Sequence, residues 1–145
     1  MKTLVVFLLI LQFSGCIMWS SGLKPKYPSG RKFIPSKVDS LQPLLSWRQW
    51  SYVRSRNIRY ELQIMTRPKE GGDLYTVYSK TNLKTNSHQV ESILAPGRLY
   101  YWRVRPVYEE ANETVTGRWN GYKVVYYAIF FYGILKNHYK FNTPQ

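Results

Sequence analysis

Apolar and polar residues alternate most regularly in two places along this chain. In Ile58–Met65 the residues Ile58, Tyr60, Leu62 and Ile64 fall on one side, and Arg59, Glu61 and Gln63 on the other. In the run after Pro96-Gly97, Tyr100, Trp102 and Val104 alternate with Tyr101, Arg103 and Arg105. A period of two with aromatic and β-branched residues predicts half-buried antiparallel strands. Shorter β-type runs surround them: LLSW (44–47) after Pro43, LYTVYS (74–79) after the turn residues PKEGGD, and HQVESI (88–93). No segment carries the 3.6-residue period of an amphipathic helix. Short strands separated by turn signals predict an all-β protein, a single antiparallel β-sandwich. About 100 residues suffice for one packed core.

Two apolar runs break this pattern. The first, LVVFLLIL (4–11), follows Met1-Lys2 and precedes Phe13-Ser14-Gly15-Cys16. A basic start, a short apolar run and small residues at a cut site predict a secretory signal peptide over 1–15. It is shorter than the roughly 20 residues a membrane-spanning helix needs. Residues 16–37 then carry Pro25, Pro28, Pro35, glycines, serines and basic side chains without periodicity, which predicts an extended basic tether. As a flexible coil it would span on the order of 25 Å.

The second run, VVYYAIFFYGIL (124–135), has no charge and is flanked by Lys123 and Lys136. Two readings stand side by side: an added strand or hairpin packed on the sandwich, or an exposed contact surface. Twelve residues cannot cross a bilayer as a helix. Tyr126, Phe130 and Phe131 of this run, with Trp50, Tyr52 and Trp119, are the candidate binding residues. In GRWNG (117–121), a cation–π contact of Trp119 with Arg118 or Arg105 is expected.

The chain has 145 residues, 21 Lys and Arg, 8 Asp and Glu, and a net charge of +13. Removal of 1–15 takes away only Lys2. Such a basic chain suits an anionic membrane surface or an acidic polymer. Nucleic acid is not expected of an exported protein, and in a strand Tyr100 and Trp102 face inward, away from any such ligand. Arg103 is expected to pair across strands with Glu61.

Cys16 is the single cysteine, so no internal disulfide frames the fold. His88 and His138 lack metal-ligand spacing, no Gly-x-Ser-x-Gly elbow occurs, and Glu109, Glu110 and Glu113 read as a solvated acidic loop. Asn112-Glu113-Thr114 fits an N-glycosylation acceptor, without bearing on a bacterial source. The expectation is a non-enzyme without metal or cofactor.

Two resemblances sharpen these readings. FSGC resembles the lipobox of bacterial lipoproteins, with Phe13 where Leu is usual. That resemblance implies acylation of Cys16 and a lipid-anchored protein at the cell membrane or outer membrane. The order PLLSW, YELQI, LYTVYS, LAPGRLYYWRVRPV, YKFNTP resembles a fibronectin type III domain, of immunoglobulin-like fold, over 38–145. It implies VDSLQ (38–42) as the first strand, Trp47 as the buried tryptophan of the second, Tyr60 and Leu62 on the third, and YKFNTP (139–144) as the final strand. It also implies a corner at Leu94 and Pro96-Gly97, Tyr100 as the corner tyrosine, and Trp102 in the core. Residues 109–137 exceed the usual final loop and read as an aromatic insertion. The resemblances together imply a membrane-anchored binding or spacer module of the cell envelope, with an envelope protein or polysaccharide as partner. A structural or oligomer-forming subunit using 124–135 is the alternative, and the oligomeric state stays open.

Overall fold

The structure is a computed structural model that describes residues 15–30, 34–52, 54–128 and 131–145; the expected signal peptide as far as Ser14 and the candidate binding residue Phe130 lie outside them. The described residues form twelve strands and no helix: β1 Gly15–Ser21, β2 Pro25–Tyr27, β3 Ser36–Lys37, β4 Leu44–Trp47, β5 Arg56–Thr66, β6 Tyr75–Leu83, β7 Ser87–Gln89, β8 Leu99–Glu110, β9 Glu113–Thr116, β10 Gly121–Ala128, β11 Phe131–Asn137 and β12 Tyr139–Asn142. The six-stranded sheet has the order β3-β12-β8-β5-β6, with β9 also on β8. A three-stranded sheet, β2-β4-β7, forms the second layer. The chain is therefore a β-sandwich, as its alternation predicts.

Period two explains the core. Tyr60, Leu62 and Ile64 of β5 and Tyr100, Trp102 and Val104 of β8 are buried, and they meet Leu45 and Trp47 of β4 and Phe141 of β12 in one cluster. Trp47 packs edge-on against Tyr60 at 5.3 Å between ring centroids. Burial of each such side chain contributes about 1.5–3 kcal/mol. At the corner before β8, Leu94 is buried, Pro96 and Gly97 are exposed in a turn with Gly97 at φ 59°, and the Ala95 N–H donates to the Tyr100 hydroxyl at 2.9 Å.

Strand β8 is longer than its neighbour β12, and its remaining backbone groups find other partners. β12 covers Leu99–Trp102 and β9 covers Val107–Glu110. Between them the Gly117 N–H donates to the Pro106 carbonyl, and Asn120 stands in for a strand at Val104. Its Oδ1 accepts the Val104 N–H at 2.7 Å, and its own N–H donates to the Val104 carbonyl at 2.9 Å. Asn120 is 2% exposed, so these bonds lie in a dry environment where an unmade bond is costly.

The N-terminal segment departs from the expected tether. β1 pairs with β10 and β2 pairs with β4, while Leu23 and Pro28 are buried. The Lys24 carbonyl accepts the Arg48 N–H at 2.8 Å, and the Pro28 carbonyl accepts the Trp102 indole N–H at 3.3 Å. Gly22 and Gly30 are required by close approach: a Cβ would stand 2.8 Å from Asn120 Cα at Gly22 and 2.1 Å from the Lys140 carbonyl at Gly30. Prolines made this stretch look structureless, yet proline is tolerated in an edge strand, and β2 is one. VDSLQ, expected as the first strand, is not a strand: Val38 is buried with its N–H on the Asn142 carbonyl, next to the two-residue β3.

The insertion is three strands. β9 folds back on β8, and β10 and β11 form a hairpin that joins β1 in a third sheet, β1-β10-β11. The described residues of the 124–135 run lie on β10 and β11, with Tyr126 opposite both Cys16 and Gly133, and Phe131 opposite Ala128.

Two stability changes are expected. Asn120→Ala strands the buried Val104 N–H and should cost about 1–3 kcal/mol in urea denaturation. Ala111→Gly should stabilise by about 1 kcal/mol in the same assay, because Ala111 holds φ 51° in the two-residue turn between β8 and β9, a left-handed conformation that strains an L-residue.

Candidate recognition surface

The outward residues of β8 and β5 build one aromatic, cationic surface. Register places Glu61 opposite Arg105 and Gln63 opposite Arg103. The Arg105 guanidinium pairs with Glu61 Oε2 at 2.6 Å, and Arg103 donates twice to Gln63 Oε1, at 2.9 and 2.7 Å. The expected Arg103–Glu61 pair is therefore made by Arg105 instead, because Arg105 is the residue directly across. Both guanidiniums lie over Trp119, with Cζ 4.5 Å from the ring centroid for Arg103 and 4.3 Å for Arg105. Trp119 is half-buried and reaches this position because Gly117 and Asn120 on either side of it are bonded to β8. Each contact contributes about 0.5–2 kcal/mol. Burial, followed by the neighbouring Arg105 charge, lowers the pKa of Arg103.

A second aromatic group sits at the other end of β8. Trp50 stacks on Tyr108 at 5.8 Å, and Tyr52 leans on both rings at 6.5 and 6.1 Å. The Trp50 N–H donates to the Tyr60 hydroxyl at 3.1 Å, and the Tyr52 hydroxyl donates to Glu110 at 3.2 Å. Trp50, expected outside the core, is half-buried and packs against it, while Tyr52 remains 43% exposed. Asn57 donates to Glu109, so two of the three acidic residues here are engaged with the Trp50–Asn57 segment. The structure therefore brings Trp50 and Tyr52 together and gives Trp119 to the guanidinium stack; Tyr126 and Phe131 belong to the third sheet.

The fold-defining residues lie as follows: Trp47, Leu62 and Trp102 are fully buried, and Tyr60, Leu94 and Tyr100 nearly so. Sequence reasoning missed Asn120, whose only signal is its place before Gly121 in a turn-like NG, and Tyr108, which continues the inward alternation of β8.

His88 pairs with Tyr78, whereas His138 feels the charge of Arg103 in the stack. His88 Nε2 and the Tyr78 hydroxyl share a hydrogen bond at 2.6 Å, with the rings stacked. Burial is the main cause lowering the pKa of His88, and burial followed by the Arg103 charge lowers that of His138. Among the described residues no group of three or more His, Cys, Asp or Glu could hold a metal ion, and no helix is long and apolar enough to cross a membrane. No family model, curated protein or solved structure matches the chain.

Because both histidines bind protons less readily folded than unfolded, the unfolded state takes up more protons in mild acid. Their contribution is present above the unfolded value, about 6.5, and is lost as pH falls below it. The urea midpoint should fall between pH 7.5 and 5, measured by tryptophan fluorescence, and the fall should shrink in the His88→Gln, His138→Gln double variant.

Proposed function

We propose that this chain is an exported, non-catalytic lipoprotein. Cys16 carries the acyl anchor, and a fibronectin type III-like sandwich presents the Arg103–Trp119–Arg105 stack to anionic envelope polysaccharide. The observation that carries the binding part is that stack. Two cations are held rigidly on one indole by Glu61 and Gln63, so little side-chain entropy is lost when an anionic chain docks. Sugar rings pack on aromatic faces while acidic substituents meet the guanidiniums, whose planar donors suit carboxylate and phosphate. The fibronectin type III-like reading is supported by the division into β2-β4-β7 and β6-β5-β8-β12 and by the Tyr100 hydroxyl at the corner. The anchor reading is supported by the leader-like run and the cysteine after Ser14-Gly15.

The pairing of β1 changes what the anchor does. With Cys16 opposite Tyr126, no free tether separates lipid from protein, and the β1-β10-β11 sheet sits at the bilayer surface. The uncharged 124–135 run then lies beside the acylated residue. That placement favours membrane contact for the hairpin over the oligomer-forming alternative.

Two measurements test this. Intact mass of the detergent-extracted protein should equal residues 16–145 plus acyl chains, and Cys16→Ser should lose the acyl mass; an uncleaved or unacylated chain overturns the anchor. Trp119→Ala should weaken co-sedimentation with acidic envelope polysaccharide about tenfold, the equivalent of 1.4 kcal/mol. Undiminished sedimentation of that variant overturns the assignment of the binding surface.

A further inference from the structure

The geometry points to Asn112 as an N-glycosylation site, with a lipid-pyrophosphate-linked oligosaccharide as the donor. This inference rests on the proposed export of the chain. Asn112-Glu113-Thr114 is an Asn-x-Thr acceptor whose middle residue is not proline. That three-residue motif alone has no bearing on a bacterial source, but Glu110, two residues before the asparagine, completes the longer Glu-x-Asn-x-Thr form that bacterial oligosaccharyl transferases accept, so the site suits either kind of secretory compartment.

The acceptor motif becomes a site through its position. β8 and β9 are joined by the two-residue turn Ala111-Asn112, with φ 51° and 67°, and Glu110 pairs with Glu113 across it. Positive φ at both central residues is the type I′ geometry that asparagine tolerates. Asn112, Glu113 and Thr114 are all exposed. The Asn112 carboxamide and the Thr114 hydroxyl make no hydrogen bond among the described residues, so a transferase need break none to engage them. Glu109 and Glu110, by contrast, are held by Asn57 and Tyr52, which fixes the base of the hairpin and presents its tip. Among the described residues β9 pairs only with β8, and an edge strand is a site of unwanted pairing that a bulky hydrophilic glycan would block. The turn lies about 17 Å along β8 from Arg105, at about 3.3 Å per residue, so glycan and recognition stack are compatible.

In the reaction, Asn112 Nδ2 forms a bond to the anomeric carbon of the first sugar. The bond from that carbon to the pyrophosphate oxygen breaks, the lipid pyrophosphate leaves with the electron pair, and the amide gives up one proton. No redox step is involved.

The test expresses the full chain with its leader in cells whose secretory compartment holds an oligosaccharyl transferase, and reads intact mass with and without peptide N-glycosidase. The expected result is a leader-free protein carrying a glycan that the glycosidase removes, converting Asn112 to Asp. Thr114→Ser should keep the glycan, and Asn112→Gln and Thr114→Ala should each lose it. Retention of the serine variant's glycan separates loss of the acceptor hydroxyl from loss of folding. A leader-free chain without glycan overturns this inference and leaves export standing; a chain that keeps its leader and carries no glycan overturns both.

Discussion

The register of β8 against β5 is the constraint on which the rest of the structure depends. Twelve residues alternate on one backbone, so a single choice of register assigns every side chain to a face, and a one-residue slip would exchange the faces. With Leu62 opposite Val104 and Ile64 opposite Trp102, the inward set closes the core over Trp47 and Phe141. The same register puts Arg105 on Glu61 and Arg103 on Gln63. Core and cationic stack are two sides of one pairing, and neither can be moved alone.

Because β8 outruns β12, the exposed part of its ladder had to be completed by chain that comes later. Asn120 and Gly117 complete it, and in doing so they hold Trp119 over the two arginines. The stack is therefore a consequence of backbone accounting: polar groups of a buried strand need partners, and the segment that supplies them delivers the indole. At its far end β8 continues into the β9 hairpin, where Tyr108 gathers Trp50 and Tyr52 and the turn bearing Asn112 begins. One strand thus links the corner tyrosine, the core, the cationic stack and the hairpin tip.

The N-terminal segment shows a second dependence. Leu23 fills the core and Gly22 packs on Asn120, so residues ahead of the sandwich help hold the element that holds Trp119.

Alternation alone determined the all-β class and the inward residues of β5 and β8, because period two is local and each residue's face follows from its neighbours, while the Pro96-Gly97 dipeptide marked the turn before β8. The GRWNG stretch also offers Trp119 a cationic partner in Arg118 or Arg105, and the structure chooses Arg105 together with Arg103. Only the tertiary structure decided that Arg105, and not Arg103, meets Glu61, since that depends on register between strands more than 40 positions apart. It likewise decided that a proline-rich stretch without periodicity forms strands: β1 and β2 draw their partners from β10 and β4, and no pattern within 16–37 encodes an edge elsewhere that is waiting to be paired. The role of Asn120 was hidden for the same reason, because a residue that substitutes for a missing strand is recognisable only once the strand it completes is in place.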